Sequence, residues 1–99
     1  DLADAILFCM KNVNAHQIYS KGISHINCGS EDEISILNLL LKIKKTLKYK
    51  GEIIFDKTKP DGSYRKKMNN SRLRELGFSP QTSLDEGIAK TYSWFLKNL

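Results

Sequence analysis

Residues 51–70 read GEIIFDKTKPDGSYRKKMNN, an apolar stretch that runs into a long charged loop. The first six, 51–56, predict a β-strand, because apolar residues cluster between a glycine and a polar run. From Lys57 to Asn70 neither a helical nor a strand period fits, and a stretch of this length without secondary structure is often functional. The loop carries five cationic side chains and one carboxylate, Asp61. This stretch predicts both a strand-containing fold and a place where a ligand binds.

Helical patterns flank this stretch on both sides. In chain order the predicted elements are helix 1–12, strand 24–28, helix 36–48, strand 51–56, helix 71–76 and a last helix that starts from the capping box 83–86. Ser35 and Ser83 are the expected N-caps, and Gly77 the expected C-cap glycine. The order predicts an α/β fold with few short strands and about four helices.

The loop has the chemistry of a binding site for a phosphorylated ligand. Pro60-Asp61-Gly62 is a turn signal that would hold Asp61 in place. Arg65 and Lys66 follow, so that cations stand beside a fixed carboxylate. This suits a ligand with phosphate at one end and hydroxyls or ring N–H groups at the other. A solvated basic loop without a ligand is the alternative from composition alone.

The charge balance points to phosphates without saying whose they are. The net charge is +5 over 99 residues, which nucleic acid, an anionic membrane or a nucleotide sugar would all complement. No apolar run of the sequence, Leu39–Leu41 included, is nearly long enough to span a membrane. Asp1 and Asp4 are unlike the basic start of a signal peptide, and no initiator Met is present, so we expect a fragment of a longer protein.

No cofactor, metal or catalytic motif is visible in the chain. Cys9 and Cys28 are neither a zinc pattern nor a disulfide framework, which predicts reduced thiols in the cytoplasm. His16 and His25 have no ligand-spaced partners, so no metal site is expected. The glycine-rich phosphate loop and the Tyr-x-x-x-Lys pair of nicotinamide short-chain dehydrogenases are both missing.

Residues 51–56, followed by Lys59-Pro60-Asp61-Gly62 and Arg65-Lys66, resemble the C-terminal region of the GDP-L-fucose synthase family, a branch of the extended short-chain dehydrogenases. The resemblance continues on both sides and covers nearly all of the chain. Its further segments are 1–5, 25–30, 34–36, 71–73, 76–78, 83–88 and 91–96. Residues 1–99 are therefore expected to be the small C-terminal substrate-binding domain of such an enzyme.

The resemblance implies a parent enzyme of two domains. The N-terminal Rossmann domain, absent from this chain, would bind NADPH and carry the catalytic residues. The parent, a cytoplasmic homodimer, would epimerise GDP-4-keto-6-deoxymannose and reduce it to GDP-L-fucose. Within this chain the family's substrate-binding positions match Asp61 and Lys66, with Arg65 alongside. No catalytic, cofactor or metal residue is expected here, and the chain alone is expected to be inactive.

The chain departs from the family pattern near these residues. Ser63-Tyr64 replaces Thr-Pro, Lys67-Met68-Asn69 replaces two leucines and an aspartate, and Glu31 replaces a glycine. These changes leave open a paralogue that acts on another GDP-linked 4-keto sugar, such as a heptose derivative. Two readings of other classes remain: a free-standing domain that binds RNA or another polyanion through helix 36–48 and the loop, and an interaction module without a ligand.

Overall fold

The computed structural model describes residues 1–30 and 32–99, so the departure at Glu31 lies outside the described residues. Their helices are α1 (Leu2–Asn12), α2 (Ala15–Tyr19), α3 (Ile36–Thr46), α4 (Ser71–Glu75) and α5 (Leu84–Lys97). The chain divides into two compact units, one of residues 1–32 and 67–82 and one of residues 33–66 and 83–99. We call them unit 1 and unit 2.

Unit 1 contains α1, α2 and α4 around a small apolar core. Leu73 of α4 and Ala5 of α1 are only 1% and 2% exposed. The rings of Phe8 and Phe78 pack at a tilt, with centroids 5.5 Å apart. Gly77 ends the α4 turn with φ +99°, a conformation that glycine adopts without strain. The predictions of a helix at 1–12, of a helix at 71–76 and of Gly77 as the glycine that ends the latter are confirmed.

The helix α2 was not predicted from the sequence. Asn14 caps it by accepting a hydrogen bond from the His16 backbone N–H at 2.9 Å. The Gln17 side chain accepts from the Asn14 backbone N–H at 2.9 Å, which completes a capping box. Gly22 then adopts φ +67° and ends this turn.

The predicted strand 24–28 is wrong: these residues have no strand structure, and side-chain hydrogen bonds hold them and the glycine that follows. Arg72 Nη1 donates to the His25 carbonyl at 3.2 Å, and Asn70 Nδ2 donates to the Gly29 carbonyl. The Asn27 side chain in turn donates to the Asn69 carbonyl at 3.2 Å. The segment is therefore held by α4 and the residues just before it, and no strand in the described part of the chain pairs with it.

Unit 2 contains α3 and α5, which contact each other. Both predicted N-caps are confirmed, since Ser35 Oγ accepts from the Asn38 N–H at 3.2 Å and Ser83 Oγ from the Glu86 N–H at 3.3 Å. An ion pair of 2.5 Å joins Lys42 to Asp85. None of the apolar side chains described in this unit is fully buried. The half-buried ones are Ile34, Leu39, Ile43, Leu47, Ile53, Ile88 and Tyr92.

The helix α3 ends earlier than predicted. It stops at Thr46, and Lys48 takes the left-handed conformation with φ +52°. The Tyr49 N–H then bonds back to the Lys44 carbonyl at 3.0 Å, which satisfies one of the carbonyls left over at the end of the helix. A lysine, and not a glycine, thus takes the left-handed position after this helix.

The predicted strand 51–56 is also wrong. Its first carbonyl, of Gly51, accepts a hydrogen bond from Lys44 Nζ at 2.6 Å. Ile54 and Phe55 are 85% and 59% exposed, and no strand among the described residues pairs with the segment. A strand requires a hydrogen-bonded neighbour as well as apolar residues, so residues 1–30 and 32–99 are helical rather than α/β.

The helices in residues 1–30 and 32–99 include none that is both long enough and apolar enough to cross a membrane.

Candidate functional site

The charged loop begins with a turn made by Asp56. Its Oδ1 accepts hydrogen bonds from the Thr58 backbone N–H at 2.9 Å and from the Thr58 hydroxyl at 2.6 Å. Its carbonyl accepts a long bond of 3.5 Å from the Lys59 N–H. The Thr58 hydroxyl, and then its backbone N–H, lower the pKa of the Asp56 carboxyl because both stabilise the charged form. A carboxylate that binds the backbone two residues on is a common way to fix a turn.

The turn lies earlier than the sequence predicted. The structure turns at residues 57–59, and residues 60–63 form neither a turn nor a bend. Gly62 is not among the residues with positive φ, and a Cβ placed there would meet nothing within 4 Å. The conformational freedom of Gly62 is therefore not what shapes the loop; the Asp56 side chain is.

The middle of the loop presents its functional groups to solvent. Asp61 and Lys66 are both exposed. Within residues 1–30 and 32–99 neither has a hydrogen bond or an ion pair, so both groups can meet a ligand without first breaking a contact of this chain. Tyr64, which stands where the related family has proline, is fully exposed at 104%.

Near the end of the part of the loop that lies in unit 2, Arg65 and Glu33 form a two-point ion pair. Arg65 Nε donates to Glu33 Oε1 at 2.6 Å, and Arg65 Nη2 donates to Oε2 at 2.7 Å. The hydrogen bond to Glu33, together with its charge, raises the pKa of Arg65, so the guanidinium stays protonated. The two residues are 32 positions apart in the chain, so this contact fixes the end of the loop to the segment before α3.

The three predicted binding residues thus share the exposed part of the loop that belongs to unit 2, and no hydrogen bond or ion pair joins the side chains of any two of them. Sequence analysis missed Glu33. A single carboxylate two positions before an N-cap does not indicate a functional role in the sequence. The role of Glu33 becomes visible only from its contact with Arg65, which is 32 positions away.

The last residues of the loop, 67–70, belong to unit 1 and have structural contacts. A Cβ added to Gly29 would lie 2.6 Å from the end of the Met68 side chain, so the glycine makes room for that methionine. Asn70, only 4% exposed, donates to the Gly29 carbonyl, and its Oδ1 has no partner among the described residues. The departures at Lys67-Met68-Asn69 therefore lie where the chain packs on the 27–29 segment.

Known proteins resemble this chain along its whole length. It is 42% identical over 99 residues to the putative GDP-L-fucose synthase 2 of Arabidopsis thaliana, and 41% identical over 99 residues to the GDP-L-fucose synthase of Sinorhizobium fredii. It is 38% identical over 96 residues, 97% of the chain, to the GDP-L-colitose synthase of Yersinia pseudotuberculosis.

The chain spans 28%, 29% and 29% of the length of these three relatives. No protein-family model matches it. The matched region is the C-terminal part of the relatives. By its sequence, the chain belongs to the GDP-L-fucose synthase family and corresponds to the C-terminal part of those proteins.

Proposed function

We propose that this chain is the sugar-nucleotide-binding part of an NADPH-dependent epimerase/reductase that converts GDP-4-keto-6-deoxymannose to GDP-L-fucose. One observation carries the proposal: the whole chain is about two-fifths identical to proteins named for GDP-L-fucose synthesis. The charged loop supports it, because three groups suited to a nucleoside diphosphate sugar lie together on an exposed segment.

Each group of the loop has a separate role in this proposal. Lys66 pairs with the diphosphate as a compact cation, and Arg65 assists it. Asp61 accepts hydrogen bonds from hydroxyls or ring N–H groups of the ligand. Because Asp61 and Lys66 have no partners within the described residues, ligand contacts replace water and not an ion pair of the protein.

The chemistry itself requires residues beyond this chain. The chain has no glycine-rich phosphate loop and no Tyr-x-x-x-Lys pair. We propose that a Rossmann domain of the same protein binds NADPH and supplies the catalytic groups, and that the whole protein is a homodimer. The side chains of Leu2, Ile6 and Met10 on α1 are 62%, 53% and 78% exposed. In this proposal the Rossmann domain covers that apolar face.

The test uses the full-length protein that contains this chain. It is incubated with NADPH and GDP-4-keto-6-deoxymannose, and the nucleotide sugars are separated and identified by mass spectrometry. We expect GDP-L-fucose, formed with stoichiometric loss of NADPH absorbance. Unchanged substrate in the presence of a bound cofactor would refute this assignment of the substrate.

A second candidate is an enzyme acting on another GDP-linked 4-keto sugar. The 38% identity to a GDP-L-colitose synthase supports it, and so does the departure at Ser63-Tyr64 within the loop. A heptose derivative is one such sugar. A panel of GDP-4-keto sugars offered to the same full-length protein separates the two candidates by their values of kcat/KM.

A further inference from the structure

Glu33 holds the Arg65 guanidinium in a fixed orientation. Both oxygens of the carboxylate accept from Arg65, at 2.6 Å and 2.7 Å, in the parallel two-bond arrangement that also fixes the plane of the guanidinium. We propose that Glu33 is a positioning residue for sugar-nucleotide binding, which acts by aiming the remaining N–H groups of Arg65 at the diphosphate. This inference rests on the proposed function.

The geometry leaves donors available on Arg65. A guanidinium has five N–H groups, and the contact with Glu33 uses the one on Nε and one on Nη2. Both N–H groups of Nη1 and the second of Nη2 remain, and they point away from the carboxylate because the group is planar. One side chain can therefore bind Glu33 on one edge and a phosphate oxygen on another.

The position of Glu33 in the chain makes it a firm support. It lies two residues before Ser35, whose hydroxyl caps α3 by accepting from the Asn38 N–H. At its other end the loop is fixed by Asp56, which binds both polar hydrogens of Thr58. Asp61 lies between these two anchors and Lys66 directly follows the second. Losing Glu33 should therefore loosen one end of the binding loop while the other stays fixed.

Glu33 has two opposite effects on diphosphate binding in this proposal. Its negative charge repels the diphosphate, whereas the orientation that it gives to Arg65 favours binding. The two-point pair neutralises Glu33 locally. The other loop lysines, Lys57, Lys59, Lys66 and Lys67, keep the loop cationic. We expect the orienting effect to outweigh the repulsion. An arginine side chain that rotates freely loses more conformational entropy when it binds a phosphate than one that Glu33 already holds in place.

The experiment is a double-mutant cycle in the full-length protein, with GDP binding measured by titration calorimetry. The variants are Glu33→Gln, Arg65→Lys and the two together. Glu86→Gln is the matched control, since it removes an exposed ion pair of 2.8 Å with Lys90 on α5. We expect Glu33→Gln to weaken GDP binding about two- to fivefold, the upper part of the range for an exposed but well-aligned pair, and the control to leave GDP binding unchanged.

The cycle must also show that Glu33 acts through Arg65. We expect the double variant to bind GDP no more than about twofold more weakly than Arg65→Lys alone. A lysine at position 65 cannot make the two-point contact with Glu33, so removing the Glu33 carboxylate from that variant has little left to change. In steady-state kinetics Glu33→Gln should raise KM for the sugar nucleotide and leave kcat and the KM for NADPH unchanged, which a general loss of folding would not do.

The outcomes separate this inference from the proposed function. A wild-type protein that does not bind GDP refutes the proposed function itself. A wild-type protein that binds GDP, with Glu33→Gln binding equally or more tightly, overturns only the positioning role and assigns Glu33 as a competitor of the ligand. Fully additive effects in the cycle would show that Glu33 does not act through Arg65.

Discussion

The substitution Asp61→Asn tests the binding role of the loop with the least disturbance to the protein. The side chain keeps its size but loses its charge, and one acceptor oxygen becomes a donor. Asp61 is exposed and has no partner among the described residues, so the change should leave the stability of the protein intact. Any effect on the enzyme then reports the ligand contact.

The size of the effect follows from the surroundings of Asp61. A hydrogen bond to a charged group contributes about 1.5–3 kcal/mol. The exposure of Asp61 favours the lower end, because water competes for the carboxylate. We therefore expect a loss of about 1.5 kcal/mol of binding, which is about a tenfold rise in KM for the sugar nucleotide. Since Asp61 takes no part in proton or hydride transfer under the proposed function, kcat should hold.

The assay is steady-state kinetics on the full-length enzyme, with Asp4→Asn as the matched control. Asp4 is an exposed carboxylate in the first turn of α1, and its loss should leave KM unchanged. A large fall in kcat at unchanged KM would refute the reasoning, because the loop would then act on the transition state. Equal effects of both variants would show that only net charge matters.

Four further predictions test other parts of the structure. Leu73→Ala should destabilise the protein by about 2–3 kcal/mol in urea unfolding, because Leu73 is 1% exposed, whereas Leu2→Ala, at an exposed position of α1, should cost less than about 1 kcal/mol. Because hydrogen bonds from Thr58 depress the pKa of Asp56, the turn gains stability above the ordinary value of 3.8 and loses it as pH falls through the lower folded pKa; the Thr58 amide resonance should follow that titration by NMR and cease to do so in Asp56→Asn. The 99-residue chain should not quench NADPH fluorescence saturably at micromolar concentration, since it lacks the phosphate-binding motif. The same chain should have a low Tm or self-associate through the apolar face of α1. A monomer in light scattering with a high, concentration-independent Tm would contradict this.

The helices could be predicted because their signals are local. Ser35 and Ser83 begin α3 and α5 as expected, since a capping side chain and the N–H it binds are three residues apart. The same type of signal, Asn14 with Gln17, was present for α2. It was missed because the segment has too few apolar residues to show a helical period.

The strands could not be predicted correctly because a strand depends on a partner. Residues 24–28 and 51–56 have the apolar composition of strands, yet a ladder requires a second backbone alongside. In unit 1 the Arg72 side chain binds the His25 carbonyl, and the Asn70 side chain binds the Gly29 carbonyl just after the segment. Composition reports the preference of a segment and not whether a neighbour is present.

The candidate site shows the same division between local and distant information. Asp61, Arg65 and Lys66 were found from residue types and from the resemblance. Glu33 could not be found in that way, because its contact with Arg65 joins positions 32 residues apart. The structure thus adds the contacts that fix the loop, whereas the sequence is enough to propose which side chains of the loop bind a ligand.

The way the loop is fixed suggests how recognition is divided along it. Its two ends are held by Asp56 and by Arg65, through contacts that do not involve residues 60–64. Substitutions in that middle segment can therefore change what the loop meets without releasing its ends. Under the proposed function, the departure at Ser63-Tyr64 then affects the choice of sugar, while Arg65 and Lys66 retain the diphosphate. Under the same proposal, relatives named for fucose and for colitose can both align with the chain, because groups that bind the diphosphate need not change when the sugar does.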